Sequence, residues 1–420
     1  MLDIKFIRDN LELVKAGALK KHISVDLDRL LVVDDKRREL MTAVEAARAK
    51  QNQASEKIPS ASPVEREQLL REMKILKDAS SEREEELKGV MVEWQTLMVQ
   101  VPNIPDISVP EGESDKDNKE VRNWGEKTKF SFTPKSHIEI MENLKMVDFE
   151  RGTKVAGFRG YFLKGPGALL NMAVWQHAQR FFTEKGFNPI IVPSLLRRVN
   201  FLGTGYIPQG EDDLYKTQDG DYLAGTAEVG LMGYHMNDVL NMDELPLKYL
   251  GFSPCFRREA GSHSKDVKGL IRVHEFYKWE QVLLCEASHE ESVKWHEWLT
   301  RNTEEFIESL GIPYRTVVNC GGDIGLGQVK KYDIEAWVPG EETYREVSSA
   351  SYFHDFQTRR MNIRYKDKEG KMHFAHSLNN TAIATPRILV TLIENYQQED
   401  GSVKVPPALQ PYFGSDIIKA

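Results

Sequence analysis

The stretch "SPCFRREAGSHSKDVKGLIRVHEFYKWEQV" at residues 253–282 decides the fold. A short apolar run ends in Arg257, Arg258 and Glu259, a loop rich in Gly, Ser, Lys and Asp follows, and a second alternating run closes the stretch. This order predicts two antiparallel strands joined by a charged loop. With the two-residue period of a strand, one face of the second run would carry Arg272, His274, Phe276, Lys278 and Glu280. Such a charged face is a poor core surface.

That face favours a ligand that is both polyanionic and aromatic. Arginines such as Arg257 and Arg272 pair well with phosphates, and Phe276 would stack on a base. Glu280 would hold an ammonium group or a hydroxyl. The alternative interpretation is a solvated hairpin whose charges form cross-strand ion pairs. This stretch alone leaves both interpretations open.

Three other segments carry related chemistry. In "AGTAEVG", Thr226 and Glu228 would share one face if the segment is extended. In "YREVSSAS", Glu346 and Ser349 would reach one cation, and a carboxylate plus a hydroxyl completed by phosphate oxygens suits Mg²⁺. Arg387 follows the polar run "HSLNNTAIATP" near the start of an amphipathic helix. Each segment also fits an ordinary surface, where such groups make only local ion pairs.

Composition sets limits on the function. Among 420 residues, 56 Lys and Arg against 64 Asp and Glu give a net charge of −8, which argues against broad coating of nucleic acid but allows a local basic face. No apolar stretch approaches the length of a membrane span, and the acid-containing start "MLDIKFIRDNLELVKAG" predicts a cytoplasmic protein. Cys255, Cys285 and Cys320 show no C-x-x-C spacing, so we expect neither a disulfide framework nor zinc.

The N-terminal quarter has a helical pattern. Seam positions alternate in steps of three and four residues over 30–54 and again over 69–101, which is a heptad pattern. "IPSASP" separates the two runs, and Pro59 and Pro63 would end the first helix and open the second. The sequence therefore predicts an antiparallel helical hairpin, or coiled-coil arm. Its seam is too narrow for a wide core, so we expect the arm to project into solvent.

The remainder of the chain predicts a compact body. "VPNIPDISVPEGES" reads as a linker, and short β-rich runs then alternate with amphipathic helices over 168–187, 287–311 and 382–398. This pattern predicts an α+β fold with a mainly antiparallel sheet flanked by helices. We expect an N-terminal domain over 1–105 with the hairpin at about 28–100, a linker over 106–130 and the body over 131–420.

Together, these segments resemble seryl-tRNA synthetase of the ordinary bacterial and organellar type. The resemblance covers nearly the whole chain and includes "DFERGTKVAGFRGYFLKG", "TGYIPQGEDDLYK", "TAE", the 253–282 hairpin, "EVSSAS…DFQTRRMNIRY" and "LVTLIENYQQEDGSVKVPPALQPYFG". It implies a class II catalytic domain, a homodimer and three class-defining motifs. The first motif would end in Val192–Pro193, the hairpin would be the second and the Arg387 helix the third.

The resemblance also implies roles for individual residues. Arg257 would contact the α-phosphate and the serine carboxylate, Glu259 would help to hold ATP, and Arg272 would meet the terminal phosphate. The remaining implied ATP contacts are Phe276 and Arg387 around the adenine, with Glu346, Val347, Ser348 and Ser349. Glu346 and Ser349 would bind Mg²⁺. The implied serine contacts are Thr226, Ala227 and Glu228 at the amino group, Arg257 at the carboxylate, and Glu280, Asn379 and Thr381 at the hydroxyl.

The implied reaction joins serine to tRNA in two steps. Serine and ATP form seryl-adenylate and pyrophosphate, with Arg257, Arg387 and Glu346 as the catalytic residues. The seryl group then passes to the 3′ end of tRNA(Ser), and of tRNA(Sec). Catalysis by positioning and charge neutralisation suffices, so no protein nucleophile is needed.

Some features depart from the family pattern. The third motif, "LNNTAIATPR", lacks the glycines that many members carry, and Pro386 should stiffen its turn. The loop over 262–268 is bulkier than the small residues expected there. Residues 64–100 hold six Lys and Arg against nine acids, a net charge of −3, although RNA-binding arms are usually basic. We therefore expect tRNA to meet a narrow stripe near the tip of the arm, formed by Arg66, Arg71, Lys74 and Lys77.

Two other functions are compatible with parts of the pattern. Relatives of the same fold load an amino acid onto a carrier protein, but they lack the long arm that this sequence predicts. A non-catalytic coiled-coil protein with a vestigial body would have lost Arg257, Glu280, Glu346 or Arg387, and all four are present. Pyrophosphate exchange separates the enzymes from the inert protein, and charging of tRNA separates the two enzymes.

Overall fold

A computed structural model of the protein describes residues 1–261 and 266–420. These residues divide into two compact units. The smaller unit comprises Asp3–Leu19 and Ile23–Pro102, and the larger comprises Met1–Leu2, Lys20–His22 and Asn103–Ala420. Within the described ranges, no helix is long and apolar enough to cross a membrane.

Helices and strands are numbered in chain order. The helices are α1 (Ile4–Asp9), α2 (Leu11–Lys20), α3 (Leu27–Lys57), α4 (Pro63–Met98), α5 (His137–Asn143), α6 (Phe149–Ala156), α7 (Pro166–Glu184), α8 (Arg198–Thr204), α9 (Ala227–Tyr234), α10 (His289–Ser309), α11 (Phe356–Met361), α12 (Arg387–Tyr396) and α13 (Gln410–Phe413). The strands are β1 (Lys119–Trp124), β2 (Val147–Asp148), β3 (Phe162–Leu163), β4 (Asn188–Ile191), β5 (Leu195–Leu196), β6 (Tyr215–Lys216), β7 (Tyr222–Leu223), β8 (Val239–Asn241), β9 (Leu247–Phe256), β10 (Glu275–Cys285), β11 (Tyr314–Val318), β12 (Lys330–Val338), β13 (Thr343–Tyr352), β14 (Arg364–Lys366), β15 (Met372–Phe374), β16 (His376–Thr385), β17 (Val403–Lys404) and β18 (Ile417–Ile418).

The smaller unit is built around the predicted hairpin of α3 and α4. Leu30, Val33, Leu40, Val44 and Ala47 form the buried seam of α3, as the heptads predict. α4 has 36 residues and is therefore about 54 Å long. A capping box of Ser62 and Glu65 starts it directly after the predicted break. The helical arm is confirmed, with one seam position, Arg83, exposed to solvent.

The larger unit contains the predicted antiparallel sheet. In the described part of the chain this sheet has eight strands in the order β1-β11-β12-β13-β16-β10-β9-β4. Every neighbouring pair is antiparallel except β4 and β9, which are parallel at one edge. The α+β class with a mainly antiparallel sheet and a helical arm is confirmed.

One face of the sheet is closed by α10, which packs across β13 and β16. Gln281 Nε2 donates to Thr303 Oγ1 at 2.9 Å, and Asn380 Nδ2 donates to the Leu299 carbonyl at 2.7 Å. These bonds satisfy amide groups that are costly to bury without partners. With this face covered, the alternate residues of β10, β13 and β16 point toward the opposite face.

Two sequence-derived boundaries differ from the structure. The helix predicted over 382–398 begins only at Arg387, because residues 376–385 form β16 in the centre of the sheet. The segment 106–130, read as a linker, contains β1, which pairs with β11 at the edge of the sheet. The prolines and acids of this region favour a linker, but pairing with β11 stabilises a short strand that local propensity does not predict.

Candidate active site

The hairpin predicted from 253–282 is formed by β9 and β10, with Phe256 opposite Glu275. The expected common face is wrong at His274, which lines a neighbouring hollow together with Glu275 and Tyr277. The described residues 257–261 and 266–274 lie outside the ladder, so the two-residue alternation holds only from Glu275 onward. Residues 262–265 of the bulky loop lie outside the described residues, and the expectation for that loop stays a prediction.

The first of two polar pockets, here called the arginine pocket, lies where β10 leaves the loop. It is lined mainly by Arg257, Glu259, Arg272, Phe276, Glu346, Val347, Ser348 and Arg387. The Arg257 guanidinium carbon lies 5.2 Å from the centroid of the Phe276 ring. Cations beside a half-buried aromatic ring that lines the pocket suit a ligand with both phosphates and a base.

Acidic side chains hold Arg272 at the rim of this pocket. Arg272 forms an ion pair with Glu259, and its Nε lies 3.6 Å from Asp266 Oδ2. Arg345 Nη2 also donates to Asp266, at 3.1 Å. In the described residues Arg272 Nε is buried without a hydrogen-bond acceptor. These carboxylates orient Arg272, which lines the pocket, and an arginine held in this way can pair with a phosphate.

Arg387 is the first residue of α12 and faces the same pocket. Its Nε donates to the Ile271 carbonyl at 3.0 Å, and its Nη1 donates to the Glu346 carbonyl at 2.9 Å. Two backbone acceptors therefore fix the plane of the guanidinium. Pro386, which replaces an expected glycine, is the N-terminal cap residue of this helix and also lines the pocket.

The second pocket, here called the glutamate pocket, adjoins the first. Its lining includes Thr226, Glu228, Glu280, Ser349, Asn379 and Thr381. Arg257, Lys278, Glu346 and Thr381 line both pockets. The structure therefore brings the predicted phosphate-binding and amino-acid-binding residues to two connected spaces, with Arg257 between them.

Glu280 is held by a buried cation that the sequence reading assigned no role. Lys278 and Glu280 form an ion pair, and they are 5% and 2% exposed. Thr381 lies directly opposite Glu280 across the β10–β16 ladder and donates to its Oε2 at 3.4 Å. A buried carboxylate needs such partners to remain charged. The sequence did contain a signal for this pair, because the two-residue period of β10 places Lys278 and Glu280 on the same face.

Thr226 and Glu228 meet in the glutamate pocket for a different reason from the predicted one. The segment is not extended, because α9 begins at Ala227 and Thr226 is its N-terminal cap residue. Thr226 Oγ1 accepts from the Glu228 backbone N–H at 3.3 Å. This first turn of the helix directs both side chains to the pocket. Ala227 is buried against the apolar cluster beside β9 instead of lining the pocket.

Glu228 is a buried acid with two hydrogen-bond donors. Its Oε1 accepts from Gln357 Nε2 at 2.7 Å, and its Oε2 accepts from Tyr206 Oη at 3.3 Å. Burial raises the pKa of the Glu228 carboxyl to about 7, since desolvation outweighs these donors. The carboxylate thus changes charge near neutral pH. Tyr206 and Gln357 were missed because nothing in the local sequence links them to Glu228.

Glu346 and Ser349 share a face only because β13 contains a β-bulge. Three residues apart in a regular strand, their side chains would point to opposite faces. The β12–β13 register shifts between Ile334 and Glu335, which leaves Val347 as an extra residue and restores the common face. Both side chains line the glutamate pocket, whereas the buried Ser348 hydroxyl donates to Asn380 Oδ1 at 2.7 Å.

The pair Glu346 and Ser349 fits the few protein ligands that Mg²⁺ takes when phosphates supply the rest. Within residues 1–261 and 266–420 we find no group of three or more His, Cys, Asp or Glu side chains arranged to hold a metal ion by themselves. The donor set of one carboxylate and one hydroxyl therefore fits a cation that arrives with a phosphate ligand.

Comparison with known proteins places this geometry in a family. The description "Seryl-tRNA synthetase N-terminal domain" matches residues 1–105, and "tRNA synthetase class II core domain (G, H, P, S and T)" matches residues 214–396. The serine–tRNA ligase of Deinococcus radiodurans is 46% identical over 415 residues, which span 99% of this chain and 98% of the relative. This chain belongs to the seryl-tRNA synthetase family.

Solved structures of other seryl-tRNA synthetases agree with the fold. The Pyrococcus horikoshii enzyme, crystallised with ATP, has a TM-score of 0.91 at 38% identity and covers 100% of this chain and 99% of its own. The cytoplasmic serine–tRNA ligase of Naegleria fowleri, in complex with AMP, has a TM-score of 0.87 at 32% identity with the same coverage. The predicted family and the class II architecture are confirmed.

Proposed function

We propose that this serine–tRNA ligase activates L-serine across the two connected pockets, with ATP in the arginine pocket and serine in the glutamate pocket. The observation that carries this proposal is that Arg257 lines both pockets. A single guanidinium there would contact the two reacting groups, the serine carboxylate and the α-phosphate. Bidentate donors of this kind suit both anions.

ATP binding would use the cations and the aromatic side chain of the arginine pocket. Arg272, paired with Glu259 in the lining of the pocket, would pair with the terminal phosphate, while Phe276 and Arg387 would enclose the adenine. Glu259 would orient Arg272 and help to hold ATP. Val347 and Ser348 would form the adjoining wall.

Serine binding would use the carboxylates of the glutamate pocket. Glu228, with Thr226 beside it, would accept from the serine ammonium group. Glu280 would accept from the serine hydroxyl, with Asn379 and Thr381 completing that end. Ala227, the first residue of α9, would contribute by packing this helix start against the apolar cluster beside β9.

The chemistry follows from this placement. The serine carboxylate attacks the α-phosphorus in line and pyrophosphate leaves, giving seryl-adenylate. Arg257 and Arg387 neutralise charge that develops in the transition state, and positioning supplies the rest. Glu346 and Ser349 would hold Mg²⁺, which supplies charge neutralisation at the phosphates when bound. The terminal 3′-hydroxyl of tRNA then attacks the carbonyl carbon and AMP leaves.

The experiment that tests this function is pyrophosphate exchange with serine, threonine, alanine and glycine. Alanine and glycine lack the hydroxyl and would leave Glu280 unpaired, a penalty that reaches roughly 10⁴–10⁵ in relative rate. Threonine, with one extra methyl, must be rejected by crowding, which discriminates less strongly. Exchange that is equal for alanine and serine would overturn the proposed pocket.

Transfer would depend on the helical arm, with residues 1–105 as the tRNA-binding domain and the catalytic domain from 131 onward. We propose tRNA(Ser) as the nucleic-acid partner, and tRNA(Sec) as a second. Arg66, Arg71, Lys74 and Lys77 lie on α4 and are all exposed, which supports a phosphate-contacting stripe. The four cations span about three helical turns. They would therefore contact a series of phosphates along the RNA backbone and recognise its shape, without reading individual bases.

We also propose a homodimer assembled on the edge of the large sheet. β4 lies at that edge and ends directly before Val192, and Ile191 is 83% exposed. Leu169 and Met172, on the preceding helix α7, are both more than half exposed. An exposed apolar patch beside an open strand edge is a usual interaction surface. Since tRNA, ATP and serine meet in the cytoplasm, we place the enzyme there.

A further inference from the structure

Glu228 is supported from behind by a residue that does not line either pocket. Gln357 lies in α11, is 1% exposed and makes three hydrogen bonds. Its Nε2 donates to Glu228 Oε1 at 2.7 Å and to the Thr204 carbonyl at 3.2 Å. Its Oε1 accepts from Ser377 Oγ at 2.7 Å. All the polar atoms of this buried amide are therefore engaged.

The chemistry of these partners fixes the orientation of the amide. A carboxylate oxygen and a backbone carbonyl only accept, so the side facing Glu228 and Thr204 must be the NH₂ group. The Ser377 hydroxyl can donate to the remaining oxygen. Gln357 thus presents one N–H to Glu228, and a hydrogen bond to the charged form of an acid favours that form.

The same amide connects two walls of the glutamate pocket. Thr204 is the last residue of α8, and the chain turns at Gly205, with φ of +91°, to place Tyr206 beside Glu228. Tyr206 donates to the second carboxylate oxygen of Glu228. Gln357 therefore fixes both the carboxylate and the end of the helix that leads to its other donor.

We propose that Gln357 is a positioning residue for serine, which favours the charged form of the Glu228 carboxylate and orients it toward the substrate ammonium group. This inference rests on the proposed role of Glu228 in binding serine. Among the described residues, the charged and titratable groups that act most strongly on Glu228 are Tyr206 from the loop after α8, and Lys278 and Glu280 from β10. Arg257 and Glu346 line the same pocket. Gln357 adds a neutral hydrogen-bond donor from α11 to these groups.

The consequence is a pH dependence of serine binding. Because a protonated Glu228 cannot pair with an ammonium group, the KM for serine should fall as pH rises through the pKa of about 7. Loss of the Gln357 donor would raise this pKa further. The fall in KM would then occur at higher pH, and more serine would be needed near neutrality.

The test is pyrophosphate exchange between pH 6 and 8.5 with the Gln357→Met variant, which keeps the length of the side chain but removes the amide. We expect the KM for serine at pH 7 to rise about tenfold, the loss of one hydrogen bond to a charged group. We also expect the fall in the KM for serine to occur at a higher pH than in the wild type. The KM for ATP should stay within about twofold of the wild-type value.

A matched control is Gln397→Met. Gln397 is also buried and makes three hydrogen bonds through its amide, to Lys135 and Glu394, outside the two pockets. This variant should lose comparable stability and leave the serine profile unchanged. Equal serine profiles for Gln357→Met and Gln397→Met would overturn the inference, as would an equal rise in both KM values.

Two further variants separate the possible failures. Ser377→Ala removes the partner of Gln357 Oε1 and should raise the KM for serine a few-fold, so it decides the matter if Gln357→Met does not fold. Glu228→Gln tests the underlying role. If Glu228→Gln leaves the KM for serine unchanged, the proposed role of Glu228 fails. If Glu228→Gln raises the KM for serine but Gln357→Met and Ser377→Ala do not, the inference about Gln357 fails while the proposed role of Glu228 stands.

Discussion

The helical arm and the catalytic domain treat charge in opposite ways. In the arm, ion pairs such as Arg48–Glu84 join side chains that are 63% and 39% exposed. In the catalytic domain, Lys278 and Glu280 are paired with side chains 6% and 2% exposed. Exposed pairs contribute about 0–1 kcal/mol each, whereas removing one partner of a buried pair costs about 3–5 kcal/mol. Charge at exposed positions of the arm is therefore replaceable. Charge in the pockets is not, and neither is the buried Asp34 of α3, which pairs with Arg8 and Arg37.

The comparison also separates two ways of building a surface. The arm repeats one heptad pattern over α3 and α4, so many positions are equivalent. The pockets depend on single departures from regular structure, such as the bulge at Val347 and the helix start at Thr226. Substitutions should therefore have large, specific effects in the pockets and small, distributed ones in the arm.

The largest effect is expected for Arg257→Ala. Because Arg257 lines both pockets, its loss would remove the donor that we propose for the serine carboxylate and the α-phosphate. We expect serine-dependent pyrophosphate exchange to fall by about 10³-fold or more, with an unchanged far-ultraviolet circular dichroism spectrum. Exchange at the normal rate would refute the assignment of Arg257.

The next effect is expected for Glu280→Ala. The variant would remove the acceptor that we propose for the serine hydroxyl, and it leaves Lys278 buried without its carboxylate partner. We expect the KM for serine to rise about 10–100-fold and the KM for ATP to change little, measured by exchange at varied concentrations of each substrate. Glu280→Gln, which keeps the shape of the side chain, is the control for packing. Equal rises in both KM values would place Glu280 elsewhere.

The third prediction concerns the dependence of stability on pH at Glu228. Its pKa of about 7 lies above the ordinary value of 4.5, so the folded state holds the proton more tightly than the unfolded state. The stabilisation from that proton is present below pH 4.5 and is lost as pH rises through 7, amounting to about 3 kcal/mol. Thermal melting should therefore show Glu228→Gln to be more stable than wild type at pH 8, with the difference shrinking toward pH 5. A difference that does not depend on pH would contradict a buried carboxylate.

The smallest effect is expected for Arg48→Ala in the arm. Its partner Glu84 is also exposed, so the ion pair is screened by water and salt. We expect a change of at most about 0.5 kcal/mol in the free energy of unfolding, and none in exchange activity. Urea denaturation at two salt concentrations measures it. A loss of several kcal/mol would show that arm charges behave like those of the pockets.

The same contrast explains what the sequence could predict. Heptad spacing alone predicted α3, α4 and the break between them, because a repeated pattern needs no tertiary information. The two-residue period of β10 predicted the common face of Phe276, Lys278 and Glu280. The rest of the site depended on the family resemblance, since no local rule brings Glu346 and Ser349 to one face or makes "TAE" the start of a helix. Gln357 lies 129 residues from Glu228 along the chain, and only the fold brings the two together.

The most direct test of the central claim, that activation belongs to the pockets and tRNA recognition to the arm, is to assay one protein for both steps. In a variant lacking residues 30–100, serine-dependent pyrophosphate exchange and charging of tRNA(Ser) would be measured side by side with the full chain. We predict that exchange is retained and that charging is lost. Normal charging by the shortened protein, or loss of exchange from a correctly folded one, would contradict the claim.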